Sequence, residues 1–176
     1  MNGSSLSRRQ MTALLGTSLC CAATSVPDTR PNPLTLAIGD YLGEVQSNGT
    51  SLLTETRLNS LGGAPIMCWP VAPDTGQPRK ETSFNRIWVL KTGDQIKGYS
   101  VICQHAGCLV SDWDAKRHLL ICPCHGSAYD VDHDGQVMEG PAPLPLPHLP
   151  IRIEKDRLRI AGLFSGHVGS HASRAD

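Results

Sequence analysis

Cysteine and histidine are concentrated in one short stretch of this chain, and their spacing limits what the chain can fold around. Residues 103–108 read Cys-Gln-His-Ala-Gly-Cys, and residues 122–125 read Cys-Pro-Cys-His. Each segment offers one cysteine and one histidine, with a further cysteine close by. Thiolates and imidazoles are common ligands of zinc and of iron-sulfur clusters, so the pattern predicts a metal centre built from two short loops.

Four of these residues have the spacing expected for a [2Fe-2S] cluster, which needs four protein ligands. A Cys-x-His segment followed by a Cys-x-x-His segment supplies two thiolates and two imidazoles, from Cys103, His105, Cys122 and His125. A structural zinc site uses the same residue types. A domain held together only by disulfides would use the cysteines and leave the histidines idle. A zinc site would not require the additional cysteines, Cys108 and Cys124, or the nearby hydroxyl residues, Ser127 and Tyr129. The iron-sulfur interpretation is therefore favoured.

Composition favours a β-sheet protein. Aromatic residues make up only 5% of the 176 residues, whereas there are 17 Gly and 13 Pro, which suits many short strands joined by tight turns. A hydrophobic share of 40% and a formal net charge of zero argue against disorder, and also against a basic surface for nucleic acid or for a membrane. We therefore expect one compact all-β domain without a nucleic-acid partner.

Short runs rich in β-branched and apolar residues, bounded by Gly, Asn, Asp or Pro, predict the strands. Apolar and charged residues alternate over 151–160 around Lys155-Asp156, which predicts a half-buried hairpin. Residues 70–83 are expected to form an exposed loop and 165–176 a loosely held tail. Cys68 is expected to be a buried thiol. The other predicted strands are 35–38, 51–54, 64–69, 86–90 and 96–102.

The first 32 residues predict an export signal and a linker. Arg8 and Arg9 precede a mildly apolar run that ends in small residues, which is typical of a twin-arginine-like signal. The run, 11–26, is shorter than the ~20 residues needed to cross a bilayer. Cleavage, lipid attachment at Cys20 or Cys21, and retention as an anchor remain open. We expect a soluble or peripherally anchored protein on the periplasmic side of a bacterial cytoplasmic membrane, with the folded domain at 33–176.

The sequence resembles the Rieske iron-sulfur family, in particular its high-potential branch in quinol:cytochrome c oxidoreductases. The resemblance is tight over 103–147. It implies an antiparallel β sandwich with a small inserted cluster-binding subdomain at about 102–147. It also implies one [2Fe-2S] cluster, with one iron bound by the two cysteines named above and the other bound through Nδ1 of the two histidines.

The same resemblance implies roles for residues beside the ligands. Cys108 and Cys124 match a disulfide that clamps the two loops together. Ser127 and Tyr129 match hydroxyl donors that stabilise the reduced cluster and raise its potential. An oxidising compartment would let the disulfide persist, in agreement with export.

The proline-rich segment 140–147 resembles a loop that covers the cluster in this family. Gly140, Pro141 and Pro143 are its characteristic residues here. Proline fixes φ, so the segment can form a stiff cover. A plain linker or a polyproline docking ligand is the alternative interpretation.

The implied function is one-electron transfer, with the chain acting as the iron-sulfur subunit of a quinol:cytochrome c reductase-type respiratory complex and not as a catalyst alone. Its partners would be cytochrome b and cytochrome c type proteins, with quinol as a candidate donor. Ala106 stands where quinol-oxidising members usually carry a bulky apolar residue. A small Rieske subunit of a periplasmic oxidase similar to arsenite oxidase, with a molybdenum-containing partner, therefore remains an alternative, as does a free-standing periplasmic carrier.

Overall fold

The computed structural model describes residues 35–80 and 82–170, where the regular structure is almost entirely β. The predicted export signal and linker, 1–32, lie outside the described residues. No helix among the described residues is both long enough and apolar enough to cross a membrane. The elements are, in chain order, β1 (Tyr41–Gln46), β2 (Gly49–Leu52), α1 (Glu55–Asn59), β3 (Ile66–Val71), a 3-10 turn (Ser83–Asn85), β4 (Ile87–Thr92), β5 (Gln95–Ser100), β6 (Asp112–Asp114), β7 (Leu119–Cys122), β8 (Ser127–Asp130), β9 (Gln136–Glu139), β10 (His148–Glu154) and β11 (Arg157–Ile160).

Six strands close into an antiparallel barrel. Their order is β1-β3-β4-β5-β10-β11, and Tyr41 of β1 pairs with Arg159 of β11 to complete the circle. Strand β2 extends the sheet by pairing with β1. The all-β prediction is confirmed, and the larger base is a closed barrel where the sequence predicts a sandwich. Closure pairs strand edges that an open sheet would leave exposed.

Four shorter strands form a second antiparallel sheet in the order β6-β7-β8-β9, inserted in the chain between β5 and β10. This sheet is the small inserted subdomain that the sequence predicts. Leu90 and Tyr99 of the barrel share one buried cluster with Leu120 and Tyr129 of the inserted sheet. The barrel therefore supports the subdomain through a common apolar core.

Strand β4 is apolar on both faces because it separates two cores. Ile87 and Val89 belong to the barrel core, whereas Leu90 packs in the core of the inserted sheet. Trp88 packs on the same outer side and donates from Nε1 to the Val110 carbonyl at 2.8 Å. A continuous apolar run is typical of a strand that is covered on both sides.

The predicted hairpin is confirmed as β10 and β11. Ile153 pairs with Leu158 across it. Its two turn residues, Lys155 and Asp156, both have positive φ, at 50° and 65°. Two such residues make the type I′ turn whose twist matches that of the flanking strands.

Some local predictions near the start of the domain are wrong. Residues 35–38 form no strand; the strand of this region is β1, which begins at Tyr41. The sequence pattern hides β1 because Gly43 interrupts it. A Cβ at Gly43 would lie 2.9 Å from Cγ2 of Val71 and 3.1 Å from Cγ2 of Thr50, so the close approach of strands requires glycine. Val71 also ends β3, so the predicted exposed loop begins only after it.

The segment 165–170, predicted to be part of a loose tail, is instead packed on the barrel. Val168 is 6% exposed and shares a buried cluster with Val101 and Ile102. Charged residues are absent from this segment, which lets its apolar members dock. The remainder of the predicted tail lies outside the described residues.

Candidate metal centre

Two similar loops carry the predicted ligands. The first leads from β5 toward β6, and the second joins β7 to β8. In each, a glycine N–H donates to the carbonyl of the first cysteine, from Gly107 to Cys103 at 3.1 Å and from Gly126 to Cys122 at 3.0 Å. The φ values of the two glycines are 74° and 75°, a region that other residues rarely adopt. The loops therefore share one turn geometry.

The predicted ligand side chains of the two loops meet in like pairs, histidine against histidine and cysteine against cysteine. Nδ1 of His105 lies 3.2 Å from Nδ1 of His125, and the ring centroids are 4.6 Å apart. His125 is exposed and His105 is half-buried. Cys103 and Cys122 are buried in the core shared with the barrel. The site therefore has a sulfur side toward the core and a nitrogen side toward solvent, a donor set that fits a [2Fe-2S] cluster of mixed ligation.

The predicted disulfide joins the two loops. Cys108 and Cys124 are bonded, with their Cα atoms 6.5 Å apart. Their sulfurs and that of Cys122 lie within 4.8 Å of one another. A disulfide sulfur carries no thiolate, so this trio offers a single thiol as a metal ligand. The bridge therefore holds the loops in place without competing for the metal.

Tyr129 connects β8 to the first loop. Its hydroxyl oxygen lies 3.1 Å from Sγ of Cys103 and accepts the backbone N–H of Gln104 at 3.0 Å. Because that N–H occupies a lone pair of the oxygen, the hydroxyl proton is directed at the sulfur. Burial, together with the bond to Cys103, raises the pKa of the Tyr129 hydroxyl, which therefore stays protonated as a donor.

Ser127 links the second loop to the proline-rich segment. Its side chain is fully buried, and Oγ accepts the N–H of Ala142 at 3.2 Å. An accepting hydroxyl keeps its own proton available. Ser127 therefore remains a donor toward the site.

The two thiols do not ionise alike. Burial opposes ionisation of Cys103, but hydrogen bonds from Tyr129, from Ser127 and from the first loop together lower the pKa of its thiol. Burial raises the pKa of Cys122, and the neighbouring Cys103 raises it further, against two backbone N–H groups of the second loop. These hydrogen bonds thus favour the thiolate form of Cys103, which is the form that binds metal.

The segment 140–147 passes directly over the second loop. A Cβ on Gly140 would lie 2.5 Å from Cα of Ser127, so glycine alone allows this approach. Ala142 is buried in the common core. The segment thus covers one side of the site with an apolar inner face. Its exposed residues include Pro141 and Pro143.

The family model of the Rieske [2Fe-2S] domain matches residues 71–150 of this chain. That range contains both loops, the disulfide and the segment above them. The chain contains a Rieske [2Fe-2S] domain. Rieske domains bind one [2Fe-2S] cluster, in agreement with the donor set between the loops.

Two curated proteins are similar in sequence to this chain. A cytochrome bc1 complex Rieske iron-sulfur subunit from Streptomyces lividans is 31% identical over 112 residues, which cover 63% of this chain and 62% of the relative. A cytochrome b6-f complex iron-sulfur subunit from Chlorobaculum tepidum is 36% identical over 77 residues, 44% of this chain and 41% of the relative. The chain therefore matches less than two thirds of the length of either.

Comparison with solved structures gives partial alignments to Rieske proteins. A plasma membrane Rieske protein from Synechocystis aligns with a TM-score of 0.45 and 22% identity, covering 63% of this chain and 97% of its own. The soluble domain of Rieske protein II from Sulfolobus acidocaldarius aligns with a TM-score of 0.43 and 21% identity, covering 66% and 80%.

Sequence reasoning finds the residue types of this Rieske site but misses Gln104. The structure brings together the predicted ligands, the disulfide, both hydroxyls and the covering segment; iron binding by the four ligands stays a prediction. Gln104 contributes the N–H that orients the Tyr129 hydroxyl. A glutamine between two ligand positions gives no sequence signal of this kind, because its role depends on the direction of one peptide plane.

Proposed function

We propose that this chain transfers single electrons through a Rieske [2Fe-2S] cluster held by Cys103, His105, Cys122 and His125. The observation that carries the proposal is the placement of two buried thiols and two facing Nδ1 atoms between loops joined by a disulfide. When bound, the cluster supplies a one-electron centre whose mixed ligation gives it a higher potential than a four-cysteine cluster.

The protein residues set the conditions for this transfer. His125 and His105 form the accessible edge that an electron donor or acceptor can touch. Tyr129 and Ser127 donate hydrogen bonds, which favour the more negative, reduced state. The covering segment and the common core limit the access of water to the sulfur side.

We infer that the chain works as the iron-sulfur subunit of a quinol:cytochrome c reductase-type complex and is not catalytic alone. The support is the likeness to subunits named for the cytochrome bc1 and b6-f complexes. Its partners would then be cytochrome b and cytochrome c type proteins, with quinol as the electron donor.

We also propose that residues 1–32 export the folded domain to the periplasmic side of the cytoplasmic membrane. The bond between Cys108 and Cys124 supports this location, because such disulfides persist in oxidising compartments. A twin-arginine-like signal suits a protein that receives its cluster before export.

Ala106 favours a second candidate function. Its side chain is small and exposed beside the half-buried His105, so it offers little apolar surface for docking at a quinol site. A small Rieske subunit of a periplasmic oxidase with a molybdenum-containing partner, or a free-standing carrier, would not need that surface.

Purification of the tagged full chain from native membranes tests the two candidates. We expect a b-type cytochrome to co-purify, and added quinol to reduce the iron-sulfur signal through that assembly. Co-purification of a molybdenum-containing subunit would contradict the quinol complex in favour of the oxidase. A monomer that quinol cannot reduce would favour the free-standing carrier.

A further inference from the structure

One polar side chain of the first loop points away from solvent. Gln104 stands between two predicted ligands yet is only 1% exposed. Burying an amide without hydrogen bonds is costly, so its contacts show what holds it there. Its Nε2 donates to the main-chain carbonyl of His167 at 3.1 Å.

The segment 165–170, which provides that carbonyl, has its own anchors on the barrel. Ser165 donates its N–H to the carbonyl of His148 at 2.9 Å, and its Oγ accepts the N–H of His148 at 3.0 Å. Val168 packs against residues 101–102, directly before the first loop. The partner of Gln104 is therefore itself fixed.

On its other side Gln104 contacts the tyrosine that touches the sulfur. Its backbone N–H donates to the Tyr129 hydroxyl at 3.0 Å, and that hydroxyl lies 3.1 Å from Sγ of Cys103. A continuous series of contacts thus runs from the His167 carbonyl through Gln104 and Tyr129 to Cys103.

We propose that Gln104 is a positioning residue that couples the segment 165–170 to the hydrogen bond between Tyr129 and Cys103. The side-chain bond to His167 limits rotation of the Gln104 peptide, and the N–H of that peptide directs the Tyr129 proton at the sulfur. A hydrogen bond to sulfur strengthens as the sulfur gains negative charge. Loosening Gln104 therefore disfavours the reduced state. The redox part of this inference rests on the proposed cluster site.

Gln136 offers a matched control. Both glutamines line a cleft of about 400 Å³ between the proline-rich segment and residues 165–167. Gln136 is exposed at the start of β9, whereas Gln104 is buried. Gln136→Met therefore makes the same chemical change in the same cleft without disturbing the first loop.

Gln104→Met keeps the side-chain length and removes the amide donor. In the full chain carrying its cluster, we expect hydrogen exchange of the Ser165 amide, which donates to the His148 carbonyl, to accelerate about tenfold as the segment loses one of its anchors. We expect the equilibrium constant for reduction to fall about threefold, which is about 30 mV for a one-electron couple. Gln136→Met should change neither quantity.

Val168→Ala perturbs the segment 165–170 instead of the first loop, and it tests the coupling even if Gln104→Met folds poorly. Exchange should again accelerate, and the equilibrium constant for reduction should again fall. Gln104→Met in a Tyr129→Phe background separates the contact with His167 from its effect on the potential. There Gln104→Met should still accelerate exchange but leave the potential where Tyr129→Phe has set it.

An unchanged exchange rate of the Ser165 amide in Gln104→Met would overturn the proposed contact. A potential that falls equally with and without the Tyr129 hydroxyl would overturn the coupling. A wild-type protein that carries no iron-sulfur signal, with the exchange response intact, would instead overturn the proposed function and the redox part of this inference, leaving only the contact.

Discussion

Two buried tyrosines allow the role of one hydroxyl to be measured. The Tyr129 hydroxyl contacts Sγ of Cys103 at 3.1 Å. Tyr129→Phe should lower the reduction potential, because the more negative sulfur of the reduced state loses a donor. A hydrogen bond to a charged group contributes about 1.5 kcal/mol, which is about a tenfold change in the reduction equilibrium or about 60 mV. Redox titration followed by electron paramagnetic resonance measures the shift.

Tyr99 is the control for this change. It is equally buried, but its hydroxyl donates to the Val131 carbonyl at 2.9 Å and touches no predicted ligand. Tyr99→Phe should destabilise the fold by about 1 kcal/mol and leave the potential unchanged. Equal potential shifts in the two variants would show that the Tyr129 contact has no special effect.

Gly140 determines how closely the covering segment approaches the second loop. Gly140→Ala should lower the unfolding free energy by about 2–4 kcal/mol, because φ is +84° and the new Cβ would meet the backbone of Ser127. Gly93 has a φ of +57° with open space around it, so Gly93→Ala should cost only about 1 kcal/mol. Urea unfolding measures the unfolding free energy of both variants. Similar losses of stability in the two variants would contradict the steric argument.

At this scale the sequence predicts what depends on residue type and spacing. Thiols, imidazoles and hydroxyls are visible in the motif, and the structure brings them together. The contacts of Gln104 are not visible, because a buried amide bond to a main-chain carbonyl leaves no pattern in the chain.

At the scale of elements, the disulfide holds two loops that come from different strand connections. The double variant Cys108→Ser/Cys124→Ser should lose iron several-fold faster on warming, because the loops can separate. The decay of visible absorbance measures the loss. Cys68 provides the control, since it is buried in the barrel core and burial raises the pKa of its thiol. If Cys68→Ala lost iron as fast as the double variant, a specific role for the disulfide would be contradicted.

The elements that the sequence predicts best are those set by local chemistry. The hairpin of β10 and β11 follows from alternating residues around a two-residue turn. Strand β1 and the docked segment 165–170 depend on distant partners, Val71 in the first case and residues 101–102 in the second. Local patterns do not contain that information, which explains why these two predictions fail.

For the whole molecule, the inserted sheet is also tied to the barrel by charge. Lys97 of β5 lies 3.0 Å from Asp134 in the turn between β8 and β9, and this bond lowers the pKa of the Asp134 carboxyl. The stabilisation is present above the carboxyl's unfolded pKa, about 3.9, and is lost as the pH falls through the lower folded value.

Lys97→Met should therefore raise the pKa of Asp134 and reduce stability at neutral pH but not in strong acid. The loss should stay below about 1 kcal/mol, because the Asp134 side chain is 67% exposed. Carboxyl-carbon magnetic resonance titration reads the pKa. Lys91→Met, which removes a lysine paired with Glu55 instead, should leave it unchanged. A pKa that is the same with and without Lys97 would contradict the argument.

The closed barrel is the part of the architecture that the sequence does not predict. Short strands and turn residues indicate an all-β protein, but closure depends on the pairing of Tyr41 with Arg159, which are far apart in the chain. The inserted sheet is predicted because the ligand motif resembles the Rieske family, and that resemblance implies an inserted cluster-binding subdomain.

The central claim is that Cys103, His105, Cys122 and His125 hold a [2Fe-2S] cluster. Pulsed electron paramagnetic resonance on the reduced protein tests it most directly, since it detects nitrogen bound to iron. We predict two distinct histidine nitrogen couplings in the wild-type protein, with one lost or the whole signal lost in His125→Ala. His118 is an exposed histidine between β6 and β7, outside both ligand loops, so His118→Ala should retain both couplings. A zinc-loaded protein without a signal, or an iron-sulfur signal without nitrogen coupling, would contradict the account.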